Sequence, residues 1–297
     1  QFIETSMDTL AADVAKLVYP DTIVWMRDFV FAYNEPLTEN YYWHPAFDEY
    51  PVVGVNWYAA SEFCRWRTAH YNAYRASIEM PPMPRFRLPT EAEWEYASRG
   101  GFEHKLYPWE GPYIRNSKGC FLANYKPGRG DYIADNYEYT CPVRSYWPND
   151  YGLYNMAGNV AEWVLDVYRP LTFEDMDDFR SFRGNEFMKK LVDEEGLIAE
   201  KDSMGRIQWV PVEEKDAANR RNYQYSDNRN YLDGDFASSI YFSQEDMKET
   251  ENVPKQMYEY AKSSMINNTA RIYKGGSWKD RAYWLSPGTR RFLDQEL

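Results

Sequence analysis

The stretch from Asn155 to Glu162 carries oxygen-bearing groups at a spacing that could hold a metal ion. Asn155 and Glu162 supply side-chain oxygens, while Gly158 and Val160 can supply backbone carbonyls. Such hard oxygen ligands, about six to eight around one ion, suit Ca²⁺ better than Zn²⁺, which prefers His or Cys. The spacing also fits a simple tight turn at Gly158-Asn159 with a solvated Glu162, so both interpretations stay open.

A second oxygen-rich loop lies upstream of this stretch. It contains Asn124, Asp131 and Asp135 among several glycines, which let backbone carbonyls turn inwards. A bound cation would explain how such a loop becomes ordered. Spacing alone, however, favours a loop held by tyrosine packing and by Asp and Asn side-chain turns.

Other catalytic or metal chemistry has weak support. His44, His70 and His104 are isolated in the sequence, which argues against a transition-metal enzyme. Ser277 lacks both a G-x-S-x-G elbow and a nearby His, so we interpret it as a turn residue. Catalysis by these groups is therefore not expected.

Two arginines near the end of the chain, Arg290 and Arg291, allow two interpretations. They either pair with acidic residues of the fold or bind a ligand carboxylate. The three cysteines are equally ambiguous, because Cys120 and Cys141 flank one loop and either form a disulfide or remain two buried thiols. With Cys64 they are too few for a disulfide scaffold.

Composition excludes several classes of protein. With 34 Lys and Arg against 46 Asp and Glu, the formal charge is −12, which disfavours nucleic acid as a partner. No apolar run approaches the roughly 20 residues that cross a bilayer. The 18% aromatic content predicts a core of large rings joined by irregular backbone.

Helical signals occur in three places. Apolar spacing predicts a short helix around Leu10 to Val18. Asn56 can cap a helix that begins at Trp57 and continues past Tyr71. A T-x-x-E capping box predicts another helix, which starts after Thr90 and stops at Gly100-Gly101.

Extended structure is predicted at 22–33, at the PVVGV segment (51–55) and at the RIYK segment (271–274), and a turn at 286–288. The segment 107–154 is predicted to be a long loop. It is too long to be a structureless connection inside a compact domain, so we expect specific contacts to order it. Acidic clusters without periodicity predict that 171–264 is a large surface insertion, within a single domain that covers 1–297.

Five segments, taken in order, resemble the formylglycine-generating-enzyme (sulfatase-modifying factor) superfamily: RLPTEAEWEYA, YPW, FLANYKPG, NDYGLYNMAGNVAEW and RIYKGGSW. The resemblance implies an α+β fold related to C-type lectins and poor in regular secondary structure. It also implies two structural calcium sites. One would use Asn124, the carbonyl of Tyr125, Asp135 and the carbonyl of Tyr137. The other would use Asn155, the carbonyls of Gly158 and Val160, and Glu162.

The catalytic part of the superfamily pattern is missing. The enzymes hold copper through two cysteines after the GGS segment, because copper chemistry there requires thiolates. The matching positions are Asp280 and Leu285, and no cysteine follows Cys141. We therefore expect neither copper nor enzyme activity.

A narrower resemblance covers almost the whole chain. Segments such as YPDTIVWMRDF, YYWHPAFDEYPVVGV and SPGTRRFLD resemble gliding-motility lipoproteins of the Bacteroidota, of the GldJ or GldK type, the latter called PorK in non-gliding species. This implies a non-catalytic scaffold of the type IX secretion and gliding machinery. It would lie on the periplasmic side of the outer membrane, held by an N-terminal lipid. Its partners would be GldK/PorK, ring components of the GldN/PorN type and parts of the outer-membrane translocon. Two alternatives to this scaffold function stay open. The protein could be a glycan- or peptidoglycan-binding module, or a divergent formylglycine-generating oxidase.

Overall fold

The described part of the chain combines a few helices and small sheets with long ordered loops. The structure is a computed structural model, and it describes residues 18–31, 36–128, 130, 133–169, 184–212, 240–241, 255–256 and 268–297. The chain divides into two units, Gln1–Leu165 with Ile272–Leu297, and Asp166–Arg271. The predicted helix at 10–18 lies outside the described residues except for its last residue, and so does most of the predicted insertion at 171–264. The insertion and the single-domain assignment stay predictions.

Four α-helices are described, together with short 3₁₀ turns at Pro45–Phe47 and Ala282–Leu285. The α-helices are α1 (Val24–Asp28), α2 (Pro36–Asn40), α3 (Trp57–Ser77) and α4 (Glu91–Ser98). Asn56 caps α3 as predicted, because its Oδ1 accepts a hydrogen bond of 2.8 Å from the backbone N–H of Ala59. None of the described helices is long and apolar enough to cross a membrane.

Helix α4 begins with the predicted capping box. The Thr90 hydroxyl accepts from the N–H of Glu93 at 3.2 Å, and the Glu93 carboxylate accepts from the N–H of Thr90 at 2.8 Å. Gly100 and Gly101 follow the helix with φ of 63° and 85°, the left-handed conformation that glycine adopts without strain. This local device fixes where α4 starts and stops.

The predicted strand at 22–33 is wrong, because its central part is helix α1. Trp25 and Phe29 lie four residues apart, so one helical turn places both rings on the same side, with centroids 6.2 Å apart. Trp25 is 2% exposed and also packs on Trp278. Ring burial in the tertiary structure therefore overrides the extended propensity of this segment.

The predicted short strand at 51–55 is also wrong. Residues 51–55 belong to none of the described sheets, and Gly54 forms a bend with a φ of 67°. Instead, the carbonyl of Gly54 accepts a hydrogen bond of 2.7 Å from the N–H of Asp21. A Cβ on Gly54 would lie 2.4 Å from the Asp21 carbonyl oxygen, so this close approach requires glycine.

Three small sheets are described. Strand β6 (Ala270–Lys274) is the central strand of a three-stranded sheet with order β1-β6-β7, where β1 is Glu162–Val167 and β7 is Arg291–Asp294. Antiparallel pairs join β2 (Met188–Lys190) to β3 (Trp209–Pro211), and β4 (Ile240–Tyr241) to β5 (Lys255–Gln256). The predicted strand at RIYK is confirmed, and so is a mixed helix and sheet fold at this coarse level.

The long loop between 107 and 154 is organised by side-chain burial. Phe121, Ala123 and Tyr125 enter a core cluster with Ala157 and Leu285. Arg115 and Phe121 form one isolated bridge, and 107–154 contains no helix or longer strand among its described residues. The loop is therefore ordered mainly by packing and by the side-chain hydrogen bonds described next.

Candidate functional site

Asp135 organises the first predicted calcium site. It is fully buried, and its carboxylate accepts hydrogen bonds from the N–H groups of Tyr125 at 2.8 Å and Tyr137 at 3.4 Å. Its own carbonyl accepts from the Tyr146 hydroxyl at 2.7 Å. The structure thus brings three of the four predicted residues of this site together.

Asn124, the fourth residue, is 1% exposed and only half satisfied. Its Nδ2 donates to the carbonyl of Tyr139 at 2.7 Å, but its Oδ1 is buried and has no hydrogen-bond partner in the described part of the chain. A buried amide oxygen without a partner costs about 1 to 3 kcal/mol. A cation bound beside Asn124 would remove that cost.

Asn155 in the second predicted site shows the same pattern. Its Nδ2 donates to the carbonyl of Val143 at 2.9 Å, while its Oδ1 is buried without a partner among the described residues. Its φ of 51° places the residue in the left-handed region, which Asn tolerates better than most residues. Two of the predicted ligands therefore have an unsatisfied oxygen, and each belongs to a different site.

Glu162 opens strand β1 and is held by helix α4. The Trp94 indole Nε1 donates to Glu162 Oε2 at 2.7 Å. Burial raises the pKa of Glu162, and the hydrogen bond from Trp94 lowers it in part. No hydrogen bond joins Glu162 to Asn155 in the described structure, so the two side chains of this site are positioned by separate elements.

Asn159 connects the two sites, and sequence reasoning missed this role. It is 2% exposed, its side chain pairs with both backbone groups of Cys141, and its N–H donates to the carbonyl of Asn124 at 2.8 Å. Its carbonyl accepts from the N–H of Trp278 at 2.9 Å. The signal available in the sequence was the Gly158-Asn159 pair itself, which by its residue types indicates only a tight turn.

The donor set fits a hard cation. Each predicted site offers one carboxylate, one amide oxygen and backbone carbonyls, which are the ligands of Ca²⁺ rather than of softer metals. The structure shows no group of three or more His, Cys, Asp or Glu that could hold a metal, in so far as its residues are described. Calcium at Asn124–Tyr137 and Asn155–Glu162 stays a prediction that the two unsatisfied amide oxygens support.

The positions of the missing cysteines have a different character. Asp280 accepts two hydrogen bonds from the Arg291 guanidinium, at 2.7 and 2.6 Å, and one from the Ser277 hydroxyl at 2.7 Å. Arg291 also stacks on Trp284, 4.5 Å from its ring centre. Leu285 is fully buried in the core cluster. An ion pair and a core side chain thus occupy the two positions where the resemblance places the enzymes' cysteines.

Electrostatic pairing at Asp280 is strong enough to outweigh burial. Burial raises the pKa of Asp280, but the hydrogen bonds from Arg291 and Ser277 hold it below its ordinary value. Arg290 pairs with Glu91 at 2.6 Å. Of the two interpretations left open for these arginines, pairing within the fold is the one that the structure shows.

Of the two possibilities left open for Cys120 and Cys141, the structure shows free thiols rather than a disulfide, but only Cys141 is buried. Cys120 is an exposed free thiol and Cys141 is a buried one, so the chain places them in different environments. Burial raises the pKa of the Cys141 thiol. A protonated, buried thiol of this kind is chemically inert.

Two of the cavities in the described part of the larger unit lie near the candidate site residues. One, of about 320 Å³, is lined by Trp25, Trp163 and Trp278 together with the Asp280–Arg291 pair. The other, of about 520 Å³, lies among the loops at 108–117 and 146–157 and includes Asn155 in its wall. The first cavity thus contains the Asp280 position, and the second contains only one of the predicted calcium ligands.

Comparison with known proteins gives the family. The Sulfatase-modifying factor enzyme 1-like domain matches residues 35–210. An inactive C-alpha-formylglycine-generating enzyme 2 of Bos taurus is 35% identical over 137 residues, which cover 46% of this chain and 38% of that protein. The formylglycine-generating enzyme of Streptomyces coelicolor is 38% identical over 124 residues, which cover 41% of this chain and 33% of that protein.

Among solved structures, Treponema denticola variable protein 1 matches 84% of this chain and 68% of its own, with 19% identity and a TM-score of 0.38. The chain spans well under half the length of the bovine and Streptomyces relatives. These relatives include both active and inactive proteins, so they do not decide activity. Because the domain match covers more than half of its residues, the chain belongs to the sulfatase-modifying factor enzyme 1-like family.

Proposed function

We propose that this protein is a non-catalytic scaffold of the type IX secretion and gliding machinery. In this proposal it is held by an N-terminal lipid at the periplasmic face of the outer membrane. There it binds other machine components, such as GldK/PorK, ring proteins of the GldN/PorN type and translocon parts. The observation that carries the non-catalytic half of the proposal is the replacement of both redox positions by Asp280 and Leu285.

The geometry at Asp280 and Leu285 supports the non-catalytic part of the proposal. Copper held by two cysteines needs thiolate ligands, and neither a carboxylate nor an alkyl side chain provides one. Asp280 is already engaged on both oxygens by Arg291, and Leu285 has no exposed surface. Similarity to an inactive member of the family agrees with this, although active members are equally similar.

Calcium gives such a scaffold its rigidity. Asn124 and Asp135, with the carbonyls of Tyr125 and Tyr137, would hold one ion, and Asn155 and Glu162, with the carbonyls of Gly158 and Val160, the other. A bound cation would neutralise the carboxylate of each site, Asp135 or Glu162, and satisfy the buried amide oxygens of the two asparagines. It would therefore stabilise loops that have little regular secondary structure of their own.

Catalysis can be tested directly. The protein is incubated with copper, oxygen and a cysteine peptide of the sulfatase type, and the peptide mass is measured, with the Streptomyces coelicolor enzyme as the positive control. We expect no change in mass with this protein. Conversion of the peptide cysteine to formylglycine would overturn the non-catalytic assignment.

The scaffold role needs a separate experiment. The full lipidated protein is tagged, captured from outer membranes and compared with an untagged strain by mass spectrometry. We expect type IX secretion components to be enriched, through interfaces that bury more than about 1,000 Å². A monomeric protein that captures none of these components would contradict the proposed role.

A further inference from the structure

The cavity of about 520 Å³ among the loops at 108–117 and 146–157 has aromatic walls that the proposed scaffold role does not use. We call it the aromatic cleft and define it by Trp109, Tyr113 and Trp147 with Arg115 and Asn116. Tyr113 is 74% exposed and Trp147 is 85% exposed, although each presents a large apolar ring to water. Exposed rings gathered along one concave surface are typical of a binding site.

The rings are partly preorganised. The Trp109 indole N–H donates to the carbonyl of Tyr113 at 2.7 Å, which ties the two residues together. Trp109 also stacks on Tyr107, with centroids 5.0 Å apart and planes inclined by 12°. A ring that is already fixed loses little conformational entropy when a ligand packs on it.

Polar groups at the cleft offer both donors and an acceptor. Asn116 Oδ1 already accepts from the N–H groups of Lys118 and Cys120, which leaves its Nδ2 as a donor toward a ligand. Arg115 donates one N–H to the carbonyl of Gly119 and keeps further donors. Glu110 adds a carboxylate acceptor. Hydroxyl groups both donate and accept, so they match this mixture.

Charge selects against ionic ligands. Glu110 and Arg115 carry opposite charges, and Asp150 in the cleft wall is paired with Lys105. Arg115 opposes a quaternary ammonium ion, which aromatic sites otherwise favour. The chain charge of −12 opposes a nucleic acid. A wholly apolar ligand would need a cavity that covers most of its surface, whereas Trp147 stands open to water.

We propose that the aromatic cleft binds an uncharged oligosaccharide. The flat C–H faces of pyranose rings pack against Trp109 and Trp147, and the hydroxyl edges reach Asn116, Arg115 and Glu110. This proposal does not depend on the scaffold role or on calcium. It gives a place and a chemistry to the glycan-binding alternative that the sequence left open.

The test uses two defined probes, chitotetraose and cellotetraose, with the full chain and calorimetric titration. We expect at least one probe to bind with a Kd of about 1 mM or tighter. Trp147→Ala should weaken binding at least tenfold, whereas Trp147→Tyr should retain most of it. Tyr283→Ala removes an aromatic ring that is 68% exposed and lies outside the cleft, and it should leave binding unchanged.

The variants separate binding from folding. Because Trp147 is mostly exposed, its alanine variant should melt within a few degrees of the parent protein. Three results would overturn the proposal: neither probe binding, equal binding by Trp147→Ala, or stronger competition by tetramethylammonium than by either sugar.

Discussion

Two regions of the chain differ in how their buried polar groups are satisfied. Around Asn124 and Asn155, two buried amide oxygens have no partner within the described structure. Around Asp280, the carboxylate is bound by Arg291 and Ser277, and Leu285 completes an apolar core. In the first region, two side-chain oxygens are therefore available to bind a cation. In the second region, the polar side chains satisfy one another.

This difference separates the retained parts of the family pattern from the lost ones. The oxygen-bearing residues of the two predicted calcium sites are present, whereas Asp280 and Leu285 stand at the two positions where the resemblance places the enzymes' cysteines. An ion pair is an effective replacement because it fills the volume and satisfies its own charges, provided that both partners stay. The comparison therefore predicts opposite responses of the two regions to added metal and to loss of a single side chain.

The largest effect expected from a single substitution is at the Asp280–Arg291 ion pair. Asp280→Ala leaves the Arg291 guanidinium largely buried without its carboxylate, and we expect a loss of about 3 kcal/mol in the free energy of unfolding. Lys279→Ala is the matched control, because its pair with Asp28 is partly exposed and should contribute less than about 1 kcal/mol. Denaturant titration measures both. Equal losses would contradict the account.

Calcium should matter only in the other region. If the ion is present at about one hundred times its Kd, chelation should reduce stability by about 2.7 kcal/mol per site, because binding the folded state stabilises it by mass action. Asn155→Ala should reduce the difference between the melting temperatures with calcium and with chelator.

Asn72→Ala serves as the control for that prediction. Its amide oxygen already accepts from the N–H of Met83 at 2.7 Å, so the protein itself satisfies it. This variant should lower the melting temperature equally with and without calcium. A calcium response that Asn155→Ala leaves intact would count against the second site.

A smaller effect is expected from helix α4, whose side chains bind residues on both sides of this comparison. Its Trp94 holds Glu162, and its Glu91 binds Arg290. Thr90→Ala removes the N-cap and should lower the free energy of unfolding by about 1 kcal/mol. The loss should be the same with calcium and with chelator, as measured by urea titration; a loss seen only with calcium would link the cap to the ion instead.

The smallest effect concerns pH. The folded-state pKa of Asp280 lies below its ordinary value of 3.8, since the hydrogen bonds from Arg291 and Ser277 outweigh the effect of burial. A carboxyl group whose pKa is lower in the folded than in the unfolded state stabilises the protein. This stabilisation is fully present above the unfolded-state pKa and is lost as the pH falls through the folded-state pKa. The free energy of unfolding should therefore fall below about pH 4, and less steeply in Asp280→Asn. Identical slopes in acid titrations would contradict this.

Structural features that depend on residues close in sequence could be predicted, whereas features that depend on distant contacts could not. The caps at Asn56 and Thr90 depend on residues three positions away, so their helices were predicted correctly. The segment at Trp25 was predicted as a strand from its β-branched and aromatic residues, but it forms a helix in which Trp25 packs on Trp278, far along the chain. Propensity reports only the neighbours in sequence, and here the decisive neighbours are elsewhere.

The candidate site divides in the same way. The oxygen-bearing residues could be named from their spacing and from family resemblance. The role of Asn159 could not be predicted in this way, because its hydrogen bonds to Asn124, Cys141 and Trp278 form only in the folded chain. The exact pairs of Arg290 and Arg291 likewise required the folded chain, although pairing with acidic residues was one of the two interpretations.

Counting bound calcium by native mass spectrometry tests the central comparison most directly. Protein stripped with chelator is returned to calcium, and the mass of the folded chain is compared with those of Asn124→Ala and Asn155→Ala. We expect two ions per parent chain and one ion in each variant. A chain that binds no calcium, or variants that still bind two ions, would contradict it.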